Sequence, residues 1–211
     1  MTNFAPMPLF SGDAMRTEII RLRYGNTNTF YISGSQGGLL IDTDYAGTLQ
    51  AFFRAVKTAG IDIKNISYVL ATHYHPDHIG IISELQKLGI QLLIIDVQKD
   101  FVHFADHIFA REKHLHYEPI SEKKAKFISC SQSREFLESL GIRGEIIHTP
   151  SHSPDSISII LDSGECFTGD LEPIEYLEAY EENPPLKMDW ERIMCNHPKK
   201  IFYAHVREKE L

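Results

Sequence analysis

The chain predicts an α/β fold in which helices pack against sheet. Between residues 39 and 95, apolar runs of strand length alternate with stretches of helical periodicity in the order β-α-β-α-β. The 211 residues are 43% hydrophobic, enough to bury a proper core and of a size that one α/β domain can use in full. A cluster of histidines directly after a buried strand marks where such a fold would do its chemistry.

Taken in order, a leader with two prolines precedes Thr17 to Arg23, which reads as a strand. Thr29 to Ile32 and Leu39 to Ile41, joined by Gly-Ser-Gln-Gly-Gly, have the form of a β-hairpin. Leu49, Phe52, Phe53, Val56 and Ala59 then recur at helical spacing until Gly60 stops the run. The strand Ile66 to Ala71 delivers Thr72-His73-Tyr74-His75-Pro76-Asp77-His78. Helical periodicity returns from Ile79 to Leu88, with Gly89 as its stop, and Gln91 to Ile95 is a short apolar strand. In residues 98 to 126, His103 and His107 stand four apart on an expected helix, and His114 and His116 follow among Lys and Glu. That spacing forces no acidic third ligand, so a solvated helix is the preferred reading over a metal site.

The second half resumes at Lys126 to Cys130, and Arg134 to Leu140 fits either a helical turn or a strand with hairpin. Glu145 to His148 predicts a strand, from which Thr149-Pro150-Ser151-His152 turns out. Ser156 to Leu161 and Glu165 to Thr168 are strands joined by Asp-Ser-Gly, and Cys166 is expected in the core. The acidic segment Leu171 to Pro185, with Tyr176 and Tyr180, is expected to cross the mouth of the site. Met188 to Cys195 predicts a helix, and Ile201 to Ala204 a last strand.

His73, His75, Asp77 and His78 fall within six positions at a strand end. A turning loop can aim the first pair at one ion and the second pair at another, and imidazole with carboxylate suits zinc, iron or manganese. In a merely polar loop, four good ligands would be idle polar groups beside a buried strand. The pattern H-x-H-x-D-H resembles the metal motif of the metallo-β-lactamase-fold hydrolases. Three later pieces arrive in the order this resemblance requires: H-T-P-S-H-S-P-D-S with His152, F-T-G-D with Asp170, and F-Y-A-H with His205.

The resemblance implies a four-layer αββα sandwich, with residues 1–211 as a single domain. It implies two Zn2+ per chain, or iron or manganese in their place. His73, His75 and His152 would hold one ion, Asp77, His78 and His205 the other, and Asp170 would bridge both. Asp42 reads either as a carboxylate supporting the metal loop or as a cap of the next turn. Asp44 and Ser151 stand where family members often have glycine.

By the same resemblance, a hydroxide bridged between two ions would attack a small ester, lactone, thioester or phosphodiester. Asp77 is the candidate catalytic residue, managing the proton. A true β-lactamase does not fit, since one antibiotic-cleaving branch has Arg at His78 and Cys at Asp170 and the other lacks the bridging aspartate. Acyl-homoserine lactonases place a tyrosine where this chain has Pro173, leaving Tyr176 or Tyr180 as substitutes. An alternative function is that of a mononuclear-iron persulfide dioxygenase-like oxidoreductase, because ligand identity alone does not choose zinc over iron.

The formal net charge of −8, with scattered basic residues, argues against nucleic acid or an anionic membrane as partner and leaves a small-molecule substrate. Three widely spaced cysteines, Cys130, Cys166 and Cys195, indicate reduced thiols and no disulfide framework. No stretch approaches the ~18 apolar residues of a membrane span. A cytoplasmic enzyme is expected, and the sequence leaves the oligomeric state open, a homodimer included.

Overall fold

Strands that are apolar on both faces must be covered on both sides, and the central strands of this chain are of that kind. The structure, a computed structural model, describes residues 17–179 and 183–211. One sheet has six strands in spatial order: β1 (Ile19–Leu22), β2 (Thr29–Ser33), β3 (Gly38–Ile41), β4 (Ile66–Leu70), β5 (Gln91–Ile95) and β6 (Lys126–Ile128). The first three are antiparallel neighbours, and β3 to β6 run parallel. The other sheet contains β7 (Gly144–His148), β8 (Ile157–Leu161), β9 (Glu165–Phe167), β10 (Lys200–Phe202) and β11 (Lys209–Glu210), in the order β11-β10-β9-β8-β7. Its pairs are antiparallel apart from β9 with β10. The helices are α1 (Leu49–Thr58), α2 (Pro76–Ile79), α3 (Ile82–Lys87), α4 (Asp106–Phe109), α5 (Ser133–Ser139), α6 (Tyr176–Ala179) and α7 (Pro184–Met194).

The period of two along each strand sorts the apolar side chains into three layers. Leu40, Val69, Leu92 and Ile94 turn onto Phe52 and Val56 of α1 and Ile82 and Leu85 of α3. Leu39, Ile41, Leu70, Leu93 and Ile95 turn the other way and meet Ile146, Ile157, Ile159, Leu161 and Phe167 of the second sheet. On the far side of that sheet, Ile160, Cys166 and Ile201 meet Leu186, Trp190 and Ile193 of α7. Helix, sheet, sheet and helix therefore stack as an αββα sandwich. Phe52 and Trp190 are buried at its outer two interfaces, where truncation of such a ring to alanine costs about 3–5 kcal/mol.

Several elements differ from the sequence expectation. The helix expected from Ile79 to Leu88 is two helices, broken at Gly80. The Gly80 N–H donates to Asp44 O at 3.0 Å, and a Cβ there would stand 2.1 Å from Ala46 N, so the 44–46 backbone packs directly on the break. Asp44 itself accepts from Thr27 N at 3.0 Å and Tyr45 N at 2.6 Å, which gives the carboxylate a role where family members often have glycine.

Arg134 to Leu140 resolves as helix α5, with Leu137 in the intersheet core. The histidines of 98–126 do not share a helix: α4 begins at Asp106, and His103 precedes it, paired with Asp106 at 2.9 Å and Glu122 at 3.3 Å. The last helix starts at Pro184, earlier than Met188, because Asn183 caps it by accepting from Leu186 N at 3.2 Å and proline opens its first turn. Tyr180 lies outside the described residues. No helix among the described residues is long and apolar enough to cross a membrane.

Candidate metal centre

Four strands end at one edge of the sandwich, and each releases a loop that carries a polar cluster. From β4 come His73 and His75, then Asp77 and His78 in the single turn of α2, where Pro76 fits the first helical position. After β7 comes His152, after β9 Asp170, and after β10 His205. The glycine of the Gly169-Asp170 pair has φ +58°, and a Cβ on it would stand 2.4 Å from Thr72 Oγ1. Only glycine both turns that way and admits the Thr72 loop so closely.

The structure brings all seven expected residues together in two groups. His73, His75, His152 and Asp170 form one, and Asp77, His78, Asp170 and His205 the other, with the ligand atoms of each group within 4.8 Å of one another. Asp170 belongs to both, and its two oxygens divide the work. Oδ2 lies 3.8 Å from His73 Nε2 and 3.8 Å from His152 Nε2, while Oδ1 lies 3.3 Å from His78 Nε2 and 3.2 Å from His205 Nε2. His152 Nε2 stands 3.2 Å from His75 Nδ1, and Asp77 Oδ2 stands 3.2 Å from His205 Nε2. His73 and His78 form a buried floor, and His152 and His205 an exposed rim.

The donor set fits divalent cations on a further ground. His73 Nε2, His78 Nε2 and Asp170 Oδ1 are buried, yet none has an aligned hydrogen-bond partner. His73 Nε2 in one group, and His78 Nε2 with Asp170 Oδ1 in the other, would be costly as they stand, and a cation in each group would satisfy them. Behind them, Asp42 decides the aim of the floor. Its Oδ1 accepts from Thr72 N at 2.6 Å, its Oδ2 accepts from Thr72 Oγ1 at 2.9 Å, and Oδ2 lies 3.0 Å from His78 Nδ1. Asp42 therefore supports the loop and does not merely cap a turn. Its φ of 57° is left-handed, a conformation that costs a non-glycine residue on the order of 1 kcal/mol.

The protein groups also set one another's charge. Burial, reinforced by His78, holds His73 well below the ordinary imidazole range, which suits a neutral ligand. Burial opposes charge on His78, but the Asp42 and Asp170 carboxylates outweigh it and hold the ring well above that range. Burial alone would raise the Asp170 carboxyl, yet the His205 and His78 rings prevail and hold it far below the usual carboxylate range. Asp170 and Asp77 push His205 up to about 10. Cation uptake at such a site competes with protons.

Other expected residues fall outside the cluster. His148 Nε2 lies 2.8 Å from Pro154 O, and His107 Nδ1 lies 2.8 Å from Phe104 O, so neither belongs to the metal groups. Glu172, at the start of the acidic segment, lines a cavity of about 180 Å³ with Ser151, His152, Asn183 and Leu186. Ser151 uses its N–H to donate to Asp189 Oδ2 at 2.7 Å. Sequence reasoning missed Asp155, Gln98 and Phe104. Asp155 accepts from Tyr74 N inside the metal loop at 2.7 Å, and the Phe104 ring stands 5.9 Å from that of His75. Asp155 follows His152 by only three positions, the one local signal that could have found it.

The sequence profile of the metallo-beta-lactamase superfamily matches residues 22–201. A probable metallo-hydrolase from Methanocaldococcus jannaschii is 29% identical over 147 residues, covering 70% of this chain and 68% of that protein. An atrochrysone carboxyl ACP thioesterase from Pseudocercospora fijiensis is 27% identical over 146 residues, covering 68% of this chain and 36% of its own length. Several relatives are longer, and this chain spans 36% to 58% of them. Among solved structures, a metallo-beta-lactamase family protein from Thermus thermophilus superposes with a TM-score of 0.67 at 18% identity, covering 92% of this chain and 74% of that one.

Proposed function

The chain belongs to the metallo-beta-lactamase superfamily, and from that premise we propose a hydrolase that holds two divalent ions, zinc foremost, and cleaves a small ester, lactone or thioester. Relatives named as a metallo-hydrolase and a thioesterase support metal-dependent hydrolysis in general. The two-ion reading is carried by the division of Asp170, whose oxygens face different groups at 3.8 Å on one side and 3.2–3.3 Å on the other. When bound, the ions would acidify a water and polarise the oxygen of the group under attack.

The chain's own residues supply the rest. Asp42 and Thr72 keep the floor rings in place, so that no reorganisation is needed as charge develops. Asp77, partly exposed beside His205, is the carboxylate placed to hold or pass a proton as the leaving group departs. The Phe104 ring is 49% exposed beside His75 and offers an apolar wall to an acyl or aryl substituent. That wall favours acyl substrates over phosphodiesters, and the thioesterase relative supports the thioester class. Three free thiols suit the reducing cytoplasm that we propose as its location.

Elemental analysis with an activity screen tests this reading. About two zinc ions per chain are expected, with ester or thioester cleavage lost to a chelator and restored by zinc. One iron per chain, with oxygen uptake on a persulfide, would replace hydrolysis by the oxidoreductase alternative.

A further inference from the structure

We propose that Asp155 and Gln98 are positioning residues that set the spacing of His73, His75 and His152, and with it the grip on one of the two ions. The proposal rests on the reading of those imidazoles as ion ligands. Two irregular loops must meet there, 72–75 leaving β4 and 151–156 leaving β7. Neither runs in a sheet ladder: Ile157 N donates to Thr72 O and Ser156 N to Ser153 O, each at 2.9 Å, and other backbone groups there, Tyr74 N among them, turn to side chains.

The Asp155 carboxylate ties the loops together. Oδ2 accepts from Tyr74 N, between His73 and His75, at 2.7 Å, and Oδ1 accepts from Ser153 Oγ, next to His152, at 2.8 Å. Gln98 closes the tie from the side of the first sheet. Its Nε2 donates to Ala71 O at 2.9 Å, Thr72 O at 3.3 Å and Asp155 O at 3.3 Å, while its Oε1 accepts from Ile95 N at 3.3 Å. Asp155 is 3% exposed and Gln98 not at all.

A carboxylate at that depth is costly unless donors meet its oxygens, and here a backbone N–H and a hydroxyl meet one each. The spans involved are far beyond local structure: Asp155 reaches across 81 positions to Tyr74, and Gln98 across 57 to Asp155. Asp42 stands in the same relation to His78 on the other side of the cluster. Two buried aspartates thus stand behind the cluster, Asp42 against His78 and Thr72 and Asp155 between the two loops.

The test compares zinc titrations of the metal-free full chain, against a chelating indicator, for wild type, Asp155→Asn and Gln98→Met. Both replacements are close in size, and thermal melting of the metal-free forms checks folding. One zinc dissociation constant should weaken about ten- to hundredfold while the other stays within about threefold. Amide exchange in the metal-free variants should quicken at 72–75 and 151–156 together. In a His75→Ala background, Asp155→Asn should leave the remaining zinc constant unchanged, because the site it serves is already lost. Unchanged zinc constants, equal weakening of both, or a further loss in the His75→Ala background would each overturn the proposal. If Asp155→Asn unfolds the metal-free chain, Gln98→Met decides by the same criteria. Wild-type protein that takes up no zinc overturns the ion-site reading and this proposal together; loss confined to the variants separates the two.

Discussion

Replacing Asp42 by asparagine should weaken zinc binding at the Asp77, His78, Asp170 and His205 group, whose His78 it faces directly, more than at the His73, His75, His152 and Asp170 group, which it reaches only through Thr72. Asparagine matches aspartate in size and tolerates the left-handed φ of 57°, so the backbone stays and only the charge and one acceptor are lost. Aspartate uses both oxygens, one on Thr72 N at 2.6 Å and the other on Thr72 Oγ1 at 2.9 Å and against His78 Nδ1 at 3.0 Å. With its single acceptor kept on Thr72 N–H, the amide turns an NH2 toward His78 Nδ1. That favours the tautomer protonated on Nε2, the atom that must face the ion. With the amide reversed, the buried Thr72 N–H loses its acceptor. In either orientation a hydrogen bond to a charged group disappears, a loss of about 1.5–3 kcal/mol, or roughly 10- to 150-fold in a dissociation constant. Zinc titration against a chelating indicator reads this directly. Two unchanged constants, or a loss confined to the ion of His73, His75 and His152, would refute the role given to Asp42.

Asp170→Asn should weaken both zinc constants by more than about tenfold, and dialysed protein that keeps two ions by elemental analysis would speak against a shared carboxylate. Phe104→Ala should raise KM about three- to tenfold for an aryl or long-chain acyl thioester and leave an acetyl ester nearly unaffected; equal effects on the two would remove Phe104 from the substrate wall. In metal-free protein, the His205 pKa of about 10 lies above its ordinary value of 6.5. The stability it contributes is complete below pH 6.5 and lost as pH rises through 10. The melting temperature of chelator-treated wild type should therefore fall between pH 7 and pH 10 more than that of His205→Gln, and parallel profiles would contradict this.

Much of the fold was legible because its signals are local. The hairpin of β2 and β3 follows from a glycine-rich turn between apolar runs, and α1 from a stripe ending at Gly60. The seven candidate ligands were readable because each sits in a short motif at a strand end. What escaped depends on partners distant in the chain. The break at Gly80 is imposed by the 44–46 backbone, which no helical periodicity records. Gln98 resembles any glutamine in a charged stretch until Ala71, Thr72 and Asp155 surround it. Phe104 looks like a core residue by type and stands half in solvent beside His75. The two-residue β11 is too short to leave a pattern.

The strand ends that carry the cluster belong to different sheets, β4 to one and β7, β9 and β10 to the other. Neither sheet alone completes either group: His73 and His75 need His152 and Asp170, while Asp77 and His78 need Asp170 and His205. A bound ion is thus a noncovalent cross-link over the seam of the sandwich. Free ion at 100 times its dissociation constant would add about 2.7 kcal/mol against parting the sheets. The coupling is reciprocal. Because the ligands of each group come from both sheets, widening the seam at this edge would draw them apart and weaken their hold on an ion. Loosening the seam from within, as by Ile157→Ala in the intersheet core, should therefore weaken zinc binding in both groups.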